Sequence, residues 1–173
     1  YNSFVSLAHT EDALNVLHSL LNGNDSISGI DIDQDKRWDI ILMINRYLHE
    51  DYESLLTTEE THDQSDIGIN SALAAKASRP LASIKTEFLN SLINKPDRYK
   101  VANQRFIATY LFENEQHDLI DLFTDEIFDA WSDWAENAKD RFMNVYQALL
   151  PTRCNEEKIA LFESAVETWG QYR

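Results

Sequence analysis

The chain has 173 residues, enough for one ordinary domain with its own core. Thirty acidic residues stand against fifteen basic ones, a formal net charge of −15 that disfavours nucleic-acid backbones and anionic membranes. Only four glycines and three prolines are present, too few turn residues for a many-stranded sandwich or barrel, and the single cysteine, Cys154, excludes an internal disulfide.

Helical signals begin near the start. Thr10 is an N-cap followed by Glu11 and Asp12, and Ala13, Leu14, Leu17, Leu20 and Leu21 recur at helical spacing up to Gly23. Asp33 or Asp35 caps the next helix. Its apolar residues Trp38, Ile41, Leu42, Ile44, Tyr47 and Leu48 occupy more than one face, which makes it central. The stretch from Asp51 to Gln64 has only Leu55 and Leu56 as aliphatic anchors and reads as a short helix plus an acidic loop. Ser65 or Asp66 caps an alanine-rich helix that ends at Arg79-Pro80, with Pro80 expected at the first position of the following helix.

That following helix carries Leu81, Ile84, Phe88, Leu89, Leu92 and Ile93 and stops at Lys95-Pro96-Asp97. Val101 to Phe112 is another. A long helix follows, from Leu119 through Leu122, Phe123, Ile127, Trp131 and Trp134. Arg141 to Leu150 and Asn155 to Trp169 complete the set. The expectation is an all-α fold of about eight helices in antiparallel pairs, with lengths that suit a HEAT-like stack. The whole of 1–173 reads as a single domain. It does not open on an initiator methionine, which suggests a processed chain or a piece of a longer one.

Chemistry is sparse. None of His9, His18, His49, His62 and His117 lies three or four residues from another, so a two-histidine zinc face is absent. His62-Asp63 reads as a solvated loop pair and Cys154 beside Arg153 as a structural thiol. No nucleophile elbow or glycine-rich phosphate loop occurs. Asp118, Asp121, Asp125, Asp129, Asp133, Glu136 and Asp140 form an acidic stripe if they share one helix. Asp121 and Asp125 then have the DxxxD spacing of magnesium–diphosphate sites, but the basic residues such a site needs are not evident. A solvated acidic face is the simpler reading. Trp131, Trp134, Tyr146 and Trp169 read as core.

Three segments read together resemble a known family. They are Asp35-Lys36-Arg37-Trp38, then Ser71-Ala72-Leu73-Ala74-Ala75-Lys76-Ala77-Ser78-Arg79-Pro80 followed by Ile84-Lys85. The third holds Gln116, Leu119, Leu122, Phe123, Phe128 and Trp131 and ends at Leu149-Leu150-Pro151. Their order and spacing resemble the C-terminal helical domain of M1-class zinc aminopeptidases of the bacterial aminopeptidase N type. That region is similar to the C-terminal region of the endoplasmic-reticulum aminopeptidases. The resemblance covers about Asp33 to Thr152. It implies a HEAT-like superhelix that packs on the catalytic domain of its own chain and helps close the peptide chamber. The zinc motif and the Gly-x-Met-Glu-Asn motif belong to a preceding domain, so zinc is expected there and no cofactor here.

On that reading this chain is non-catalytic, cytoplasmic, without a membrane span and without nucleic acid as a partner. Peptides are its substrate-side partners, and an acidic concave face would favour a cationic amine. Arg79, Arg105 and Arg141 are candidate anchors for a peptide carboxylate, each also readable as a surface arginine. The alternative is a free-standing helical-repeat scaffold that binds a partner helix or peptide.

Overall fold

A computed structural model describes residues 1–137, 145–150 and 156–170 of the chain. Side-chain caps set several helix starts. Thr10 accepts the Ala13 N–H and opens α2 (Glu11–Leu21), after the short α1 (Asn2–Leu7). Asp33 accepts the Lys36 N–H and opens α3 (Gln34–Arg46). Ser65 accepts the Gly68 N–H and opens α5 (Asp66–Ser78). Each cap satisfies an N–H that the first helical turn leaves without a partner. Gly23, at φ 72°, ends α2 in the left-handed region that glycine adopts without strain.

The helices that follow are α6 (Ala82–Asn94), α7 (Val101–Leu111), α8 (His117–Asp121), α9 (Thr124–Asn137) and α10 (Glu156–Gly170). Single 3-10 turns lie at Pro96–Arg98 and Tyr146–Leu149. Among the described residues there is no β-strand, so the fold is all-α as expected. The chain divides into two compact units, Tyr1–Ile84 and Lys85–Arg173.

In the first unit α3 is the hub. It packs against α1, α2, α4 (Tyr52–His62) and α5, the central place its many-sided apolar pattern predicts. Ile40, Ile41 and Ile44 are fully buried, with Leu17 and Leu56 against them. Ala72 and Ala75 of α5 belong to the core built on α3 and let the two backbones come close, since a methyl side chain adds little thickness; Ala74 and Ala77 are buried on another face of α5. The α3–α4 turn contains two non-glycine residues in the left-handed region, Leu48 (φ 49°) and Asp51 (φ 59°).

In the second unit α9 packs against α10 and against the Tyr146–Leu149 turn, which also meets α7. Trp134 stacks on Tyr146 with ring centroids 4.0 Å apart, and the Tyr146 hydroxyl donates to the Leu92 carbonyl at 3.4 Å. Trp131, Trp134 and Tyr146 are buried, so these three aromatics are core; the side chain of Trp169 lies outside the described residues.

Three local expectations change. The stretch after Asp51 forms one 11-residue helix, Tyr52–His62, whose inward Glu59 has its charge compensated from α3. Pro80 lies outside α6, which begins at Ala82. The long helix through Leu119 and Trp134 is two. The Leu122 and Phe123 N–H groups bond to Leu119 and Ile120, three residues back, and this tighter turn ends α8. It swings Phe123 into the core beside Phe112 and leaves Leu122 at 72% exposure. Of the helix expected over Arg141 to Leu150, only the Tyr146–Leu149 turn and its flanks fall within the described residues.

Candidate functional site

Arg79 follows the alanine-rich helix at its C-cap and is 5% exposed. Its Nε donates to Asn45 Oδ1 at 2.9 Å. Asn45, itself fully buried, donates through Nδ2 to the Ile41 carbonyl at 2.9 Å. The guanidinium lies over the Tyr52 ring, 4.8 Å from its centroid, with Glu53 Oε1 3.7 Å from Nη1. Burial pulls Arg79 below its ordinary proton affinity, and the Glu53 charge opposes that pull. This arginine ties α5 to α3 and to the start of α4. Its planar, stackable head suits that position better than a lysine would.

Arg105 is exposed on α7 in the second unit, and Arg141 lies outside the described residues. Arg79 therefore sits in a bonded interior cluster and Arg105 on a surface.

A second polar cluster was not singled out from the sequence. Arg37 on α3 donates to the buried Glu59 on α4 through Nε and Nη2, and through Nη1 to the Leu21 carbonyl of α2 at 3.1 Å. Gln34 adds a 2.8 Å bond to Glu59 Oε1. Burial raises the Glu59 pKa, but the Arg37 and Gln34 hydrogen bonds outweigh it and hold the carboxyl below its usual range. Next to Arg37, Trp38 donates its indole N–H to Asp63 Oδ2 at 2.8 Å. A signal existed: Arg37 and Trp38 belong to the first resembling segment, and Arg79 lies in the second. Both segments thus supply the interior polar bonds of one unit.

Among the described residues the acidic stripe does not form as one helical face, because the break at Leu122–Phe123 separates Asp121 on α8 from Asp125 on α9; Asp140 lies outside the described residues. Asp121 pairs with Lys158 on α10, while Asp125 is exposed. His18 and His49 stack with centroids 5.9 Å apart. Asp63, beside His62, is engaged by Trp38 and by the Ser65 N–H. Among the described residues no three His, Cys, Asp or Glu side chains gather in a way that could hold a metal ion. The described residues do not fit a zinc centre.

No family model matches the chain. It is 26% identical over 153 residues to aminopeptidase N of Streptomyces lividans, an alignment that covers 86% of this chain and 17% of that protein. The chain thus spans about a sixth of the length of the curated relative it matches. By sequence it is similar to one part of an aminopeptidase and by structure it is all-α.

Proposed function

We propose that this chain is the C-terminal helical domain of an M1-class zinc aminopeptidase, a hydrolase that removes N-terminal residues from peptides. The domain packs on the catalytic domain and shapes access to the peptide chamber, without supplying bond-making residues. Zinc belongs to the catalytic domain of the longer chain. The observation that carries this reading is the 26% identity to aminopeptidase N, spread over most of this chain but a small part of that protein.

The successive packing of α2, α3, α4 and α5 supports a HEAT-like arrangement of helix pairs. Among the described residues no helix is long and apolar enough to cross a membrane, and the domain is proposed to act in the cytoplasm. Arg105 is the better placed of the proposed carboxylate anchors, because its side chain is exposed, whereas Arg79 is engaged with Asn45, Tyr52 and Glu53. Arg141 is kept as an anchor of the same kind.

The test is an immunoblot and an immunoprecipitation from source lysate with an antiserum against this chain. The expected product is far larger than 20.0 kDa and hydrolyses aminoacyl anilides, while the isolated chain does not. A product of about 20 kDa without peptidase activity overturns the reading and favours a free-standing helical scaffold.

A further inference from the structure

Helix α10 has one base in its fifteen residues, Lys158, and the fold turns it inward. Lys158 is 9% exposed and pairs with Asp121. Glu156, Glu163 and Glu167 remain outward. At roughly 100° per residue these three fall along one edge of the helix. Beside them Ile159, Phe162 and Val166 recur at i, i+3 and i+7 and form an apolar stripe of about 10 Å.

The stripe faces out. Ile159 is 47% exposed, Phe162 43% and Val166 44%. Phe162 touches Trp131 edge-on, at 6.5 Å between centroids, and still leaves much of its ring uncovered. The inner side of α10 is the one seated on α9. An apolar stripe with an acidic margin is complementary to a helix with an apolar stripe and a basic margin. The chain itself is poor in such material, with fifteen basic residues against thirty acidic. The relative it matches is far longer, with only 17% of its length aligned.

We propose that the Ile159–Phe162–Val166 stripe is an intramolecular docking face, covered by a basic amphipathic helix from elsewhere in the longer polypeptide. This rests on the reading above that the chain is one domain of such a polypeptide. The acidic margin selects the register and the apolar stripe supplies the buried area.

The experiment uses the longer polypeptide with Cys154 replaced by serine. Phe162→Cys and Ser164→Cys are made separately, since Ser164 is exposed on the opposite edge of α10. Reaction with a water-soluble maleimide is followed by peptide-resolved mass spectrometry. Phe162→Cys is expected to react slower than Ser164→Cys by about tenfold or more. Adding Glu163→Lys and Glu167→Lys should remove that protection. Equal rates at the two positions, fast or slow, overturn the docking face. Protection that survives charge reversal overturns the basic occupant. Ile159→Cys is the second reporter if Phe162→Cys fails to fold. A source product of only about 20 kDa overturns the parent reading and this proposal together; labelling failure in a larger product overturns this proposal alone.

Discussion

Arg37 closes on Glu59 through two nitrogens, with Nε 2.9 Å from Oε1 and Nη2 2.6 Å from Oε2. The carboxylate is almost wholly buried, the guanidinium about one-third exposed. A third nitrogen holds the last carbonyl of α2, so one arginine joins three helices. Removing one partner strands the other. Arg37→Ala is expected to destabilise the chain by about 3 kcal/mol, the lower end for a broken buried pair. The double variant Arg37→Met with Glu59→Leu should lose less, because no buried charge is left alone. Urea unfolding of the single and double variants checks this.

Gly68 in the first turn of α5 is in contact with the backbone oxygen and the carboxylate of Asp63. A Cβ there would overlap both. Asp63 cannot easily yield, because it accepts the Trp38 indole N–H and the Ser65 N–H. Gly68→Ala is therefore expected to cost about 1–3 kcal/mol, although alanine is the better helix former. A Tm equal to or above that of the parent chain contradicts it.

Acid should unfold the first unit in a defined sense. Hydrogen bonds from Ser65 and Trp38 hold the Asp63 carboxyl below its usual range, and Glu59 is also lowered. A lowered folded-state value means the stabilisation is complete above the unfolded pKa. It is lost as pH falls through the folded one, so stability drops below about pH 4. Asp39 has the opposite sign. Asp39 is exposed to solvent at its surface, yet partial desolvation first, then the charges of Asp35 and Asp33, raise its pKa. Its ionised form is disfavoured by the fold at neutral pH, and Asp39→Asn should raise Tm at pH 7 with a smaller gain at pH 4. Thermal melts across that range check both signs.

Arg79 separates a structural role from a substrate role. Arg79→Ala leaves the buried Asn45 oxygen without its Nε donor. A loss of about 1–3 kcal/mol in urea unfolding is expected. Arg105→Ala, on the surface of α7, should shift stability by no more than about 0.5 kcal/mol. In the proposed parent aminopeptidase, an anchoring role for Arg105 predicts that the substitution raises KM for peptides with a C-terminal carboxylate and leaves anilide hydrolysis unchanged. Unchanged KM in both assays would remove Arg105 as an anchor.

Sequence alone determined the helical class, the cap at Thr10 and the central place of α3, and it placed two further caps at Asp33 or Asp35 and at Ser65 or Asp66, of which the structure uses Asp33 and Ser65. These follow from local chemistry: a cap needs one side chain near one N–H, and a many-sided apolar helix has no solvent face to offer. It also made Trp131, Trp134 and Tyr146 core, since large apolar rings at helical spacing have few other places to go. The tertiary structure decided the rest. That Glu59 faces inward is invisible in its neighbours, because its compensating charge is 22 residues away on α3. Only packing turned Arg79 from a surface charge into an interior strut. The break at Leu122–Phe123 has no glycine or proline to announce it. It arises because Phe123 is buried beside Phe112, a contact that no helical periodicity encodes.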